Sequence, residues 1–346
     1  MTEYTIMKRL HHTAWLACLC AGTYLFASCQ DFLDIKPYDK TIPETAEDYS
    51  AMVHNLCNDL DEGTREAAPI LGNYTETSEL ESISDNMEVN LSEANTMLST
   101  YIGDRLNNKQ SVYQNLYKEI GVCNIILNNF DQDLGSRESQ DILGFSYAVR
   151  GVCYYQLLRQ FCEPPLSHNA RLGVPLVTEF DMEARPVRSD IQSTINRIEN
   201  DLKTAISYDI QNPMYRFNND ILHGYLARLY HWCGRWKEAR EEALALLKKY
   251  PLLSGEEYKS MITTQYGLVG NRMIMSSMIS GSSSLGVSGT LSHLQERPLS
   301  IRYLKLFTEG ERDIRYKFYW NKKRKNNRTI FSGLRSAEME IGRAHV

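Results

Sequence analysis

The sequence contains none of the short motifs that mark the common catalytic and nucleotide-binding sites. There is no HExxH zinc motif, no P-loop, no GxGxxG dinucleotide fingerprint and no GxSxG nucleophile elbow. Cysteines at metal-like spacing, such as CxxC, are also absent. These absences argue against zinc proteases, P-loop nucleotide hydrolases, dinucleotide-dependent dehydrogenases and α/β serine hydrolases.

The remaining titratable residues are scattered. His223 and His231 lie eight positions apart on one predicted helix, too far to share a metal ion without a third ligand, so we expect core or rim histidines. Glu79, Glu81 and Asp85 could form the paired acids of a glycosidase, but a chain with many acids offers such pairs by chance. We therefore predict no catalytic residue, no metal and no cofactor.

No apolar run reaches the roughly 20 residues that a membrane-spanning helix needs. The longest, at about residues 14–27, follows Lys8 and Arg9 and precedes small residues and Cys29, which is the order of a secretory signal. Residues 25–29 (LFASC) resemble a bacterial lipobox, in which Cys29 would carry the lipid as the first mature residue. An ordinary secretory signal with an incidental cysteine is the alternative.

The chain has few cysteines and a small negative net charge. Of eight cysteines, Cys18 and Cys20 would leave with the signal and Cys29 would be acylated, so five remain, an odd number that favours buried thiols over a disulfide framework. The formal net charge is −5, and losing residues 1–28, with one acidic and two basic residues, makes it about −6. Such a chain is not an obvious nucleic-acid binder, and no nucleic-acid partner is predicted.

The strongest pattern in the chain is a helical hairpin at residues 222–251. Gly234 is suited to end its first helix and Pro251 its second. Two apolar stripes recur at helical spacing, namely Leu222, Leu226, Leu229 and Cys233, then Trp236, Ala239, Ala243 and Leu246. The hairpin has the signature spacings of a tetratricopeptide repeat. Because one hairpin cannot bury its stripe alone, we expect similar neighbours, with the rest of the chain packed on this element.

Other segments repeat the helical pattern. Helices are predicted at residues 45–58, from about 113 to 130, at 147–158 and after a capping box formed by Ser189 and Gln192. GVPLV at 173–177 is extended because of its proline and β-branched residues. Residues 59–95 and the Ser/Gly-rich 276–289 are loops, and the basic run at 322–325 is a solvated turn between strands rather than an anion or nucleic-acid contact. The fold class is mainly α, a tetratricopeptide-like scaffold with long loops and a few short strands.

Several of these motifs resemble the SusD/RagB family of Bacteroidetes surface lipoproteins. Cys29 followed by Phe32-Leu33-Asp34 and Pro37 is similar to the mature start of that family, and residues 147–161 (YAVRGVCYYQLLRQF) and 173–177 (GVPLV) resemble its internal motifs. The resemblance implies a lipid-anchored outer-membrane protein that is exposed on the outside of the cell. It further implies capture of oligosaccharides or peptides for a partner SusC-like TonB-dependent transporter, with no bond broken by this subunit.

The resemblance also suggests the domain limits. We predict a signal peptide at 1–28, a lipid-anchored tether at 29–44, a helical N-terminal domain at 45–275 and part of a C-terminal lobe at 276–340. Residues 341–346 (IGRAHV) back-translate to a sequence like the opening of a common sequencing adapter, so we interpret them as an artefact of a truncated gene.

Ligand residues are expected on loops that project from the scaffold. Aromatic faces stack on sugar rings, and amide or carboxylate groups hydrogen-bond sugar hydroxyls. On this basis Asn73, Tyr74, Asp85, Asn86 and Trp320 are the candidate ligand-binding residues, although each aromatic could instead pack under a loop. Two other function classes stay open, a periplasm-facing tetratricopeptide scaffold lipoprotein for outer-membrane assembly and a secreted hydrolase.

Overall fold

The computed structural model shows a mainly helical chain with a few short strands, which confirms the predicted fold class. It describes residues 43, 45–62, 68–71, 85, 110–130, 136–179, 183–251, 256, 300–313, 320–325 and 328–334. The helices are α1 (Ala46–Glu62), α2 (Ala68–Leu71), α3 (Gln110–Asn129), α4 (Arg137–Phe161), α5 (Ile191–Tyr208), α6 (Asn219–Trp232), α7 (Trp236–Lys249) and α8 (Ile301–Leu304). The strands form two antiparallel pairs, β1 (Leu172–Pro175) with β2 (Arg188–Asp190) and β3 (Trp320–Lys325) with β4 (Arg328–Leu334).

The predicted domain limits fall largely outside these described residues. The signal peptide at 1–28, nearly all of the tether at 29–44, the junction at 275 and 276, and the segment 341–346 are not described. These limits therefore stay predictions. All the helices and strands given above belong to one unit of the chain, Ala46–Val346.

Helix α4 lies at the centre of the fold. Nearly every side chain from Ser139 to Leu158 is buried, and the helix packs against α3 and α5 along its length and also touches α1, α2, α6 and β1. The predicted organising element, the hairpin α6–α7, is peripheral by comparison, since α7 buries only Ala239 and Leu246. The prediction that everything packs on the hairpin is therefore wrong.

Two glycines let α5 approach α4 closely. A Cβ atom at Gly144 would lie 2.8 Å from the Cβ of Tyr208, and one at Gly151 would lie 3.2 Å from the Cβ of Asp201. Distances this short leave no room for a side chain. The pair of helices therefore depends on small residues along the face of α4 that meets α5.

A buried ion pair joins the same two helices. The Arg150 guanidinium on α4 donates two hydrogen bonds to the Asp201 carboxylate on α5, at 2.9 and 2.8 Å. It donates a third, at 2.9 Å, to the side-chain oxygen of Asn124 on α3. Asn124 in turn donates to the carbonyl of Val177 at 2.9 Å. Arg150 and Asp201 are 5% and 2% exposed, so the pair is stable only because these hydrogen bonds satisfy both charges.

The GVPLV segment is extended, as predicted, and α3 and α4 hold it by its main chain. Tyr154 donates to the carbonyl of Val177 at 2.9 Å, and the Val177 amide donates to the Tyr154 oxygen at 2.8 Å. Tyr117 donates to the carbonyl of Pro175 at 2.7 Å. A Cβ atom at Gly173 would lie 2.0 Å from the hydroxyl oxygen of Thr194, so the first residue of GVPLV must be glycine for β1 to lie against α5.

The predicted capping box is misplaced by one residue. Helix α5 begins at Ile191, and its N-cap is Asp190, whose carboxylate accepts from the Ser193 amide at 2.8 Å. Ser189 instead lies in β2 and donates to the Val174 carbonyl on β1 at 2.8 Å. The strand pairing draws Ser189 away from the helix end and leaves the cap to the next polar residue.

The hairpin turn agrees with the prediction, but one residue of its stripe does not. Gly234 has a φ of +74° and ends α6, as a left-handed residue commonly does. Trp236 is 57% exposed, because it opens α7 on the outer side and lies edge-on against His231, 5.1 Å between ring centroids. The other histidine, His223, contacts Glu242 across the hairpin at 2.7 Å.

The basic run at 322–325 is strand rather than turn. Residues 322–325 complete β3, and Lys322 and Lys325 are in register with Phe331 and Arg328 of β4. The prediction of a turn over these residues is therefore wrong, because the run belongs to the paired part of the hairpin.

The cysteines of the described part are free thiols. Cys57, Cys123 and Cys153 are buried, and Cys162 and Cys233 are partly buried. Burial raises the pKa of Cys123 and of Cys153, so both thiols remain protonated and unreactive at neutral pH. They behave as small apolar residues of the core.

A second ion-pair cluster ties the hairpin to α5. Glu199 on α5 accepts hydrogen bonds from Arg235 at 2.5 Å, Lys203 at 2.6 Å and Tyr230 at 2.9 Å. Burial alone would raise the pKa of Glu199, but these donors outweigh it and lower the pKa to about 2. The connection between α6 and α7 is therefore anchored to α5 through an ionised carboxylate.

Replacing Arg150 should cost far more stability than replacing a surface arginine. Arg150→Met keeps the length of the side chain but leaves the Asp201 carboxylate buried without its counter-charge, so we expect the free energy of unfolding to fall by about 3–5 kcal/mol. Urea denaturation measures this change. Arg240→Met, on the exposed side of α7, is the matched control and should change the value by less than about 0.5 kcal/mol. A loss below about 1 kcal/mol for Arg150→Met would contradict the assignment.

Glu199 should also make stability depend on acid pH. Because its pKa falls from 4.5 to about 2 on folding, the stabilisation from its charge is complete above pH 4.5 and is lost as the pH falls towards 2. Glu199→Gln removes this titration, so its unfolding free energy should decline less steeply over that window than that of the parent. Urea denaturation at a series of pH values tests the difference, and parallel pH profiles would show that the cluster does not act through ionised Glu199.

Candidate functional site

The structure describes one of the predicted ligand residues in full. Asn73, Tyr74 and Asn86 lie outside the described residues, as does the predicted lipid-bearing Cys29. Trp320 opens β3 opposite Leu334, and only its backbone is described. Asp85 is described with its side chain and contacts, so the candidate site is built from it.

Asp85 is held against the segment that begins with Ser300. The Ser300 hydroxyl donates to the Asp85 carbonyl at 2.6 Å, and Arg302 Nη1 lies 3.0 Å from Asp85 Oδ2. These contacts join positions 215 residues apart in the sequence. One contact fixes the main chain of Asp85 and the other orients its carboxylate.

Helix α8 presents the residues that meet Asp85. Ser300 is its N-cap, and the Ser300 hydroxyl accepts from the Tyr303 amide at 3.1 Å while donating to Asp85. Ser300 is 8% exposed, so both roles of the hydroxyl are satisfied within the fold. Tyr303 lies edge-on to Phe307 at 5.4 Å between ring centroids, so the segment that carries the exposed Arg302 also carries two half-buried aromatic rings.

The charged groups of this surface are open to a ligand. The side chains of Asp85 and Arg302 are 70% and 84% exposed, and an ion pair at such exposure contributes at most about 1 kcal/mol. A ligand hydroxyl could therefore replace either partner at little cost. The exposed Ile301 and Leu306 on the same segment add apolar surface. A carboxylate, a guanidinium and nearby aromatic rings are groups that hydrogen-bond and pack against a sugar.

Residue chemistry in the sequence indicated Asp85 as a candidate but not Ser300 and Arg302, which contact it. A signal for Ser300 does exist, since a serine before Ile301 matches an N-cap pattern. No sequence pattern indicates that this short helix meets Asp85, because the contact depends on tertiary structure.

Of the residues considered as metal ligands or paired acids, the structure describes the two histidines and Asp85. Within the ranges given above, no three His, Cys, Asp or Glu side chains converge as ligands to one metal ion. His223 pairs with Glu242 and His231 contacts Trp236, so the two histidines have separate surroundings. Glu79 and Glu81 lie outside the described residues.

None of the described helices combines the length and the apolar character needed to cross a membrane.

The fold and this surface define a helix-stacked scaffold that carries an exposed polar and aromatic patch. A SusD-like family model, described as "Starch-binding associating with outer membrane", matches residues 31–231. Because the match extends over more than half of the 346 residues, the chain belongs to this SusD-like family, as the sequence motifs predicted. The matched residues contain α1 to α5, all of α6 except Trp232, and Asp85.

Solved structures show the same fold. A SusD superfamily protein from Bacteroides thetaiotaomicron matches with a TM-score of 0.61 and 17% identity, covering 84% of this chain and 69% of that one. A SusD-like carbohydrate-binding protein from Bacteroides vulgatus matches with a TM-score of 0.59 and 16% identity, covering 82% of this chain and 62% of that one. A laminarin-binding SusD-like protein gives a TM-score of 0.54 and 16% identity, with coverage of 81% and 67%.

These similarities establish the fold, and this chain spans between 62% and 69% of the three structures. No curated protein matches the chain.

Proposed function

We propose that the protein is a lipid-anchored, surface-exposed receptor that binds oligosaccharides and passes them to a SusC-like TonB-dependent transporter without breaking a bond. The observation that carries this proposal is the match of residues 31–231 to a family described as starch-binding and associated with the outer membrane. The similarity in fold to carbohydrate-binding and laminarin-binding proteins supports the same ligand class. Peptides are the alternative ligand.

The ligand surface in this proposal includes Asp85 and Arg302, with Tyr303 beside them. Their exposure and weak mutual attraction suit hydrogen bonds to sugar hydroxyls. Asn73, Tyr74, Asn86 and Trp320 remain the predicted partners on the projecting segments. A site built from exposed groups binds with modest affinity, which suits a receptor that must release its ligand to a transporter.

The anchor in this proposal is the acylated Cys29. The order of charged residues, apolar run and small residues before it supports cleavage and acylation at that position, and the family description supports an outer-membrane location. The predicted tether at 29–44 would place the helical scaffold away from the bilayer.

One structural feature favours a second candidate, a tetratricopeptide scaffold lipoprotein that holds assembly partners on the periplasmic side. Trp236, Leu244 and Leu247 on α7 are 57%, 41% and 41% exposed, and their spacing puts them on one face of the helix. Exposed apolar residues on a repeat helix are typical of a protein-binding surface.

Glycan binding should depend on the predicted ligand surface. Asp85→Ala combined with Arg302→Ala removes two exposed hydrogen-bonding side chains, and we expect retention on glycan affinity gels to fall. Tyr74→Ala and Trp320→Ala test the predicted stacking residues in the same gels. Arg240→Ala, an exposed change on α7, should leave retention unchanged. Unaltered mobility of all three ligand-surface variants, with a glycan that the parent binds, would remove these residues from the proposed site.

The anchor and the orientation can be tested in cells. Metabolic labelling with a fatty acid should mark the parent and leave Cys29→Ala unlabelled, because the thiol is the acylation site. Protease treatment of intact cells should degrade a surface-exposed protein and spare a periplasm-facing scaffold. A labelled but protease-resistant protein would favour the second candidate, and an unlabelled parent would refute the anchor.

A further inference from the structure

Two exposed arginines stack on a pair of buried tyrosines where α4 meets α6. Tyr155 and Tyr225 are 2% and 5% exposed, and their rings lie edge to face with 5.7 Å between centroids. The Arg159 guanidinium carbon lies 5.7 Å from the Tyr155 centroid, and that of Arg228 lies 5.6 Å from Tyr155 and 5.8 Å from Tyr225. We call these four residues the Arg–Tyr cluster.

The two arginines contact aromatic rings and have no acidic partner, unlike the ion-paired arginines of the fold. Arg150, Arg137 and Arg235 each contact a carboxylate. Arg159 makes one long hydrogen bond, 3.4 Å, to the neutral Gln156. Within the described ranges no carboxylate lies at ion-pair distance from Arg159 or Arg228, and Arg228 makes only its two ring contacts. Their N–H groups are therefore available to a ligand.

Tyr225 adds a neutral donor to this pair of cations. Burial raises the pKa of Tyr225 to about 12, against the opposing influence of Arg228 and Arg159, so its hydroxyl keeps its proton at neutral pH. The polar and aromatic contacts of Tyr225 with the described residues are contacts of its ring, with Tyr155, Phe217 and Arg228, so its hydroxyl has no hydrogen-bond partner among them.

The cluster thus offers donors and positive charge but no negative group. An oxyanion is the ligand that matches this arrangement, because guanidinium groups form their strongest hydrogen bonds with carboxylate and sulfate oxygens. A helix end explains part of the arrangement, since Arg159 in the last turn of α4 also offsets the terminal carbonyls. Arg228 has no such explanation, because it lies inside α6.

We propose that the Arg–Tyr cluster binds the oxyanion of an acidic saccharide, either the carboxylate of a uronic acid or a sulfate ester. The tyrosine rings hold the two guanidinium groups in place, and Arg228 makes the principal contact with the oxyanion. The inference rests on the proposed glycan-binding function and narrows it to saccharides that carry negative charge. The cluster shares no residue with the pair Asp85 and Arg302, whose exposed groups suit neutral hydroxyls.

Isothermal titration calorimetry at low salt provides the test. The probes are tri-galacturonate, maltotriose with one sulfate ester, and maltotriose itself. The parent should bind at least one of the two acidic probes more tightly than maltotriose, and the difference should shrink as sodium chloride is added. The acidic probe that shows the preference identifies the source of the oxyanion.

Arg228→Gln should weaken binding of that acidic probe about tenfold, which corresponds to the loss of one charge-assisted hydrogen bond. Tyr225→Phe, which removes only the hydroxyl, should have a smaller effect in the same direction. Arg240→Gln is the matched control, since it removes the same charge from an exposed position on α7 and should leave the affinity unchanged. Thermal melting checks that each variant is folded.

The outcomes separate this inference from the proposed function. Equal affinity of the parent for acidic and neutral probes, or an unchanged affinity of folded Arg228→Gln, overturns the Arg–Tyr site. Binding of maltotriose alone overturns it while supporting the proposed function. Equal losses for Arg228→Gln and Arg240→Gln would indicate a general charge effect and also overturn it. Absence of binding to every probe contradicts both proposals for these saccharides.

Discussion

The buried contact between Arg150 and Asp201 is the constraint on which the rest of the scaffold depends. A guanidinium and a carboxylate that are 5% and 2% exposed are tolerable only when nearly all their hydrogen-bonding capacity is used. The side-chain oxygen of Asn124 accepts the third guanidinium hydrogen bond, and its amide group donates to the carbonyl of Val177. Because every one of these bonds has a fixed direction, α3, α4, α5 and the segment after β1 have one mutual arrangement that satisfies them. Apolar packing alone would permit several.

The residues of the scaffold and those of the proposed ligand surfaces differ in burial, and therefore in what a substitution changes. Helix α4 is buried on all sides, so a change there disturbs packing against several neighbours. Asp85 and Arg302 are largely exposed and stabilise the fold little. Substitutions at such positions leave the helices intact, and in the proposed site they would change what is bound. The Arg–Tyr cluster contains residues of both kinds, since its tyrosine rings are buried in the core and its arginines are exposed.

Much of the fold could be predicted from the sequence, because α1, α5 and α6 each bury one face and so carry a clear helical stripe. The central role of α4 was missed, because a helix buried all round has little contrast between its faces. Its buried Arg150 and Gln156 further obscure the pattern. Trp236 was misplaced for a related reason, since spacing reports a face and not whether another element covers it. For the candidate site, residue chemistry indicated Asp85, whereas its contact with Ser300 and Arg302 depends on how distant segments pack.

The connection between β1 and β2 is pinned separately at each end. Val177 exchanges two hydrogen bonds with the Tyr154 side chain, which here replaces a neighbouring strand. Arg188 donates to the carbonyls of Gly173 and Phe161 at the other end. With both ends fixed to the helices, the connection between Thr178, whose carbonyl accepts a hydrogen bond from Asn128 at 2.8 Å, and Arg188 can gain or lose length without shifting the start of α5. Related proteins could therefore evolve loops of different reach at this place while keeping the same helical frame.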